Sequence, residues 1–178
     1  MRTILLLDDE QSVLNALQRA LRHAFSGSAV TIETFTDPEQ ALFRCAEQDF
    51  DVIVSDYRMP SLTGADFLQM AKGIQPDAVR IVLSASTEFS EIMGAINRGE
   101  VFRYLAKPWQ NEELHRTIEL AFARRDDAIA ARRRRAQEQQ QASQAQLSPQ
   151  EAEARRLERE EPGITQVRRG PDGEIYVE

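Results

Sequence analysis

Five short apolar runs, separated by stretches of helical periodicity, constrain this chain more than any other feature. The runs are ILLL at residues 4–7, VTIETF at 30–35, VIV at 52–54, RIVLSA at 80–85 and VFRYLA at 101–106. Each has the length and composition of a strand. Between the first two, Val13, Leu14, Leu17 and Leu21 recur at helical spacing. Asp37 followed by Pro38 supplies an N-cap and a first helical residue for a second helix, and Thr63 with Asp66 three residues later opens a third. Phe89, Ile92 and Ile96 mark a fourth helix, and Asn111 precedes a fifth that runs through Leu114, Ile118 and Phe122. Parallel strands need crossovers and helices fill them, so five strand–helix repeats predict a parallel sheet with helices on both faces. The first, third and fourth strands are the most uniformly apolar and suit its centre.

In such a sheet, ligands bind beyond the carboxyl ends of the strands, where the winding reverses. Asp8, Asp9 and Glu10 follow the first strand, Asp56 ends the third, Ser84 ends the fourth, and Lys107 with Pro108 follows the fifth. Three or four carboxylates converging on one edge would repel one another and raise their pKa values unless a cation neutralised them. No Cys or His lies among these positions. Magnesium therefore fits better than zinc, because it takes oxygen ligands and keeps waters that a phosphate oxygen can replace. Asp56 would then act as a nucleophile towards a phosphoryl group, giving an acyl phosphate. Lys107 would pair with one phosphoryl oxygen and Ser84 would donate a hydrogen bond to another. Taken singly, Asp9 or Glu10 reads as a cap of the first helix, Ser84 as a cap of the fourth, Lys107 as a solvated charge and Tyr104 as a half-buried strand residue. Their shared position at one end of successive strands argues for a site.

With these residues assembled, the sequence resembles the response-regulator receiver domains of two-component signalling. The matching features are the acidic pair Asp8 and Asp9, Asp56 in SDYRMP with Gly64 following, Ser84 in LSAS, Tyr104, and Lys107 with Pro108. The resemblance covers residues 3 to about 124 and implies a flavodoxin-like (βα)5 doubly wound sheet with strand order 2-1-3-4-5. It implies Asp56 as phosphoacceptor, Asp8 and Asp9 as magnesium-binding acids, Arg58 as a ligand through its backbone carbonyl, and Lys107 as the phosphate-contacting lysine. Ser84, a serine where many family members carry threonine, and Tyr104 are implied as a switch pair. A hydroxyl drawn to a new phosphoryl oxygen would vacate space that an aromatic ring can fill, altering the face made by the fourth helix, fifth strand and fifth helix. The phosphoryl source implied is a histidine kinase or phosphotransfer protein, and the output a protein contact. No enzymatic turnover is expected beyond phosphorylation and dephosphorylation of Asp56. A magnesium-dependent aspartyl phosphatase of the haloacid-dehalogenase type fits less well, since its two acids are separated by one residue whereas Asp8 and Asp9 are adjacent. A silent receiver in a scaffold is the other alternative.

Charge divides the 178 residues. Residues 1–120 carry 11 Lys and Arg against 18 Asp and Glu, residues 121–149 carry 6 against 3, and residues 150–178 carry 5 against 8. The overall net charge of −7 therefore describes no single surface. The one cysteine, Cys45, lies among Ala41, Leu42 and Ala46 and reads as core filler in a reducing compartment. No apolar run approaches the roughly 20 residues of a membrane helix, so a soluble, cytoplasmic protein is expected. His23 and His115 receive no catalytic role, and Trp109 is expected to pack at the start of the fifth helix. No Gly or Pro interrupts ARRDDAIAARRRRAQEQQQASQAQ, so that helix is expected to continue towards residue 146. Its partial apolar seam supports a coiled coil poorly but leaves a partner surface or a weak homodimer open. Arg132 to Arg135 invite a nucleic-acid reading, but a solvated helix face is preferred because no base-reading module follows. Beyond it, PQEAEARRLEREE predicts a second charged helix, and ITQVRRGPDGEIYVE two short strands around the turn RGPDG. The expected organisation is a receiver over 1–124, a helical extension over 125–147 and a charged helix with a hairpin tail over 148–178.

Overall fold

A computed structural model of the chain describes residues 1–85, 101–145, 156–157, 159–160, 168–169 and 175–176. It divides into two compact units, Met1–Ala130 and Ala131–Glu178. In the first unit the elements run β1 (Arg2–Leu7), α1 (Gln11–Ala24), β2 (Val30–Phe35), α2 (Pro38–Glu47), β3 (Val52–Asp56), α3 (Gly64–Ile74), β4 (Val79–Ala85), β5 (Arg103–Lys107) and α4 (Asn111–Ala145), the last continuing into the second unit. The five strands form one parallel sheet in the order β2-β1-β3-β4-β5, as expected. The helix predicted fifth is α4 here. The helix predicted from Phe89, Ile92 and Ile96 lies outside the described residues.

Alternation along the strands builds two cores. Ile4, Leu6, Val52, Val54, Ile81 and Leu83 face one side and bury against Leu14, Leu17 and Leu21 of α1 and Leu114, Ile118 and Phe122 of α4. Leu5, Leu7, Ile53 and Val82 face the other and meet Ala41 and Cys45 of α2 and Phe67, Leu68 and Ala71 of α3. Strands covered on both faces read as continuous apolar runs, which is why β1, β3 and β4 are so uniform in sequence. Each fully buried Leu or Ile contributes roughly 1.5–3 kcal/mol of transfer free energy. The edge strand β2 is half-buried at every position. Trp109 packs at the margin of the first core.

Local chemistry sets the helix starts. Asp37 Oδ1 accepts the Glu39 N–H at 2.8 Å with Pro38 as first helical residue, and Thr63 Oγ1 accepts the Asp66 N–H at 3.2 Å. Glu10, at the N-cap of α1, caps nothing with its side chain. Asp8 accepts the Glu10 N–H instead, at 2.9 Å. Register brings the strand ends level, with Leu7 opposite Ser55, Asp56 opposite Leu83, and Ala85 opposite Lys107.

The second unit contains the remainder of α4, from Ala131, and an antiparallel pair, β6 (Arg168–Arg169) and β7 (Ile175–Tyr176), with Arg168 opposite Tyr176. Residues 156–157 and 159–160 are helical. The remainder of the predicted charged helix, and residues 170–173 of the predicted turn RGPDG, lie outside the described residues.

Candidate functional site

Asp56 is the last residue of β3 and 5% exposed. Its Oδ2 accepts the backbone N–H of Arg58 at 2.8 Å, which bends the chain away from the strand direction immediately after the carboxylate. Helix α3 then returns so closely that the Gly64 N–H donates to the Tyr57 carbonyl at 2.8 Å. Asp8, at the end of β1, is fully buried. Lys107, the last residue of β5, reaches across the sheet: its Nζ donates to Asp8 Oδ2 at 2.7 Å and pairs with Asp56 Oδ1.

Two buried carboxylates and one ammonium therefore form the centre of the site. Burial, with the neighbouring Asp8 charge adding to it, pushes the Asp56 carboxyl above the usual carboxylate range, against the opposing pull of Lys107 and the Arg58 N–H. For Lys107, burial disfavours the ammonium, but its hydrogen bonds to Asp56 and Asp8 outweigh this and raise its pKa. With both carboxylates ionised, the set carries one surplus negative charge.

The structure gathers fewer carboxylates than the sequence suggests. Asp9 and Glu10 are exposed. Asp9 lines a neighbouring open cavity of about 410 Å³ with Tyr57, Arg58, Met59, Pro60 and Thr63. Among the described residues, no three His, Cys, Asp or Glu side chains gather to hold a metal. Two carboxylates with excess negative charge, beside an open cavity and with no nitrogen or sulfur ligand, nevertheless suit magnesium, which takes one or two carboxylates and keeps several waters.

Beside this centre, Ser84 is buried near the end of β4, with its Oγ donating to the Ala85 carbonyl at 3.4 Å. The Tyr104 hydroxyl donates to the Ser84 carbonyl at 3.3 Å, and its half-buried ring packs on the core under α2 and α3. The Lys107–Pro108 peptide bond is cis. Asp8, Asp56, Ser84 and Lys107 thus share one end of the sheet, whereas Tyr104, the second residue of β5 and opposite Val82, joins them through its hydroxyl. His23 and His115 lie on helices α1 and α4, in neither case among these residues.

The family profile of the response regulator receiver domain matches residues 4–119. The chain belongs to this family. As a receiver domain it is 34% identical over 119 residues to the hydrogenase transcriptional regulatory protein HoxA of Cupriavidus necator, a match covering 67% of this chain and 24% of that protein. It thus spans about a quarter of the length of the curated relatives it matches. Among solved structures, the adenylate cyclase from Rhodopirellula baltica superposes with a TM-score of 0.68 at 32% identity, covering 74% of this chain and 95% of that one. A response regulator receiver domain protein from Clostridium thermocellum gives 0.64 at 27% identity, covering 71% and 98%. Receiver domains of two-component systems interact with histidine kinases or phosphotransfer proteins, generally bind magnesium for phosphorylation, and are typically non-enzymatic regulators. No helix among the described residues is long and apolar enough to cross a membrane.

Proposed function

We propose that this receiver is a phosphorylation-controlled switch with Asp56 as phosphoacceptor. The observation that carries the reading is Lys107 held between Asp8 and Asp56 at the carboxyl edge of the sheet. One Asp56 carboxylate oxygen attacks phosphorus, the bond from phosphorus to the donor's histidine nitrogen breaks, and that nitrogen keeps the electron pair. An acyl phosphate results. Lys107 gives its charge to the incoming phosphoryl oxygens, having been held by the same carboxylates beforehand, so little reorganisation is required. The Arg58 N–H orients the Asp56 side chain. Asp8, Asp9, Asp56 and the Arg58 carbonyl would hold magnesium, which when bound supplies further neutralisation of phosphoryl charge.

Ser84 and Tyr104 form the proposed relay. A Ser84 hydroxyl drawn towards a phosphoryl oxygen would leave the Ala85 carbonyl, and Tyr104, bonded to the Ser84 backbone, would repack with it. The surface around β5 and the receiver part of α4 would then differ between the two states and serve a protein partner.

The test is incubation of the full chain with magnesium and acetyl phosphate, followed by peptide mapping of hydroxylamine-sensitive phosphate. Label is expected on the peptide containing Asp56 and lost in Asp56→Asn. Absence of label under every small phosphodonor would overturn the reading.

A further inference from the structure

At the opposite, amino-terminal edge of the sheet, four charged residues from three separate segments meet. Asp51, immediately before β3, is 3% exposed. Its carboxylate accepts the Thr3 N–H at 2.6 Å and the Thr3 hydroxyl at 3.1 Å, and it pairs with Arg2 Nη1 at 3.2 Å and with Arg125 Nη1. Arg2 also grips Asp126 at two points, 2.9 and 2.5 Å, and its guanidinium lies 5.1 Å from the centre of the Phe122 ring. Arg2, Arg125 and Asp126 all fall outside the segment that matches the family.

Helix α4 needs such an attachment. Among the described side chains Phe122 is its last buried apolar residue, and none of residues 123–130 is buried. Full burial of apolar side chains therefore ends at Phe122, and ionic contacts help to hold the next turn. The two ionic contacts differ in weight. Arg2 is half-buried and Asp126 exposed, and such solvent-accessible pairs contribute little. Asp51 is buried, and removing the Arg125 guanidinium would leave its carboxylate with Arg2 as the remaining charged partner, so this contact outweighs the exposed one.

We propose that Asp51 is a pin that locks the α4 turn at residues 122–126 onto the amino ends of β1 and β3, so that this turn moves with the sheet as one body. In one consequence the inference rests on the proposed switch: phosphorylation of Asp56 alters the surroundings of Ser84 and Tyr104 while the pinned turn stays fixed.

Hydrogen exchange on the full chain, unphosphorylated, tests the pin. In Arg125→Gln, peptides covering 121–130 are expected to exchange about tenfold faster while β1 and β3 peptides are unchanged. Arg125→Lys, which keeps the charge, is expected to restore protection to within about threefold of wild type. Unchanged protection in Arg125→Gln, or a lysine variant as exposed as the glutamine one, would overturn the pin. Because Asp51→Asn risks the fold through the lost Thr3 contacts, the helix-side variants carry the test. With the wild type labelled by acetyl phosphate, exchange over 121–130 is expected to stay within about twofold of the unlabelled chain. A larger change in labelled protein would overturn the consequence for the switch and leave the pin standing. Failure to label at all would count against the phosphoacceptor reading alone.

Discussion

A β-carbon on Gly64 would lie 1.9 Å from the carbonyl oxygen of Asp56 and 2.8 Å from its carbonyl carbon. Both are backbone atoms, so no side-chain rotation can relieve the clash: either α3 retreats or the end of β3 shifts. Gly64→Ala is therefore expected to destabilise the chain by about 1–3 kcal/mol, as overpacking does. It should also slow labelling of Asp56 by about 10–100-fold, the cost of displacing a reacting group by about an ångström. Urea unfolding and acetyl phosphate labelling measure the two effects. A variant labelled at the wild-type rate would show that this close approach does not position Asp56. From the sequence, Gly64 was visible only as part of a family resemblance, because nothing in SDYRMPSLTG states that a helix will return to touch the aspartate. The gathering of Asp8, Asp56 and Lys107 was legible from chemistry, since charged residues at the ends of buried strands need partners. That Asp9 and Glu10 stand exposed while Asp8 is buried was not, because it depends on how the chain turns into α1.

Among the elements, β2 and α2 illustrate stabilisation that varies with pH. Arg44 of α2 donates to Glu33 of β2 through Nε at 2.8 Å and Nη2 at 3.0 Å. These hydrogen bonds hold the Glu33 carboxyl below its ordinary value, outweighing the burial that would raise it. A depressed carboxylate contributes stability that is fully present above the unfolded-state pKa, about 4.3, and is lost as pH falls through the lower folded-state value. Both side chains are partly exposed, so the pair is expected to contribute only modestly. Urea midpoints of wild type and Arg44→Gln should differ modestly at pH 7 and converge as pH falls through the lowered folded-state value. A gap that stays constant over this range would mean that Arg44 acts through packing rather than charge. At this scale the sequence was most legible. The caps at Asp37 and Thr63, the strand runs and the uninterrupted α4 follow from local rules of spacing and propensity. The start of β5 was less so: VFRYLA suggests pairing from residue 101, yet the strand begins at Arg103.

At the scale of the whole molecule, the question is where the receiver stops. The family match ends at residue 119, inside α4, whereas the first compact unit continues to Ala130. The intervening residues include Ala121 and Phe122, which are buried in the first core, and Arg125, which neutralises Asp51. No local rule could join Asp51 to Arg125, because the contact spans 74 residues of sequence. The structural boundary and the family boundary lead to different expectations for truncation. A chain ending at Ala130 keeps both the core closure and the ion pair, and should unfold within about 0.5 kcal/mol of the full chain. A chain ending at Leu120 loses Phe122 and leaves Asp51 without Arg125. Deleting a buried aromatic costs about 3–5 kcal/mol, and depriving buried Asp51 of one of its two cationic partners adds to that. Together these rival the total stability of a domain of this size, about 5–15 kcal/mol. The shorter chain is therefore expected to be unfolded or barely folded at 25 °C. Trp109, the single tryptophan, packs at the edge of the first core and reports on both transitions by its fluorescence in urea. If the chain ending at Leu120 unfolds cooperatively with a midpoint near that of the full chain, residues 121–130 are an appendage. If only the chain ending at Ala130 does so, they belong to the receiver.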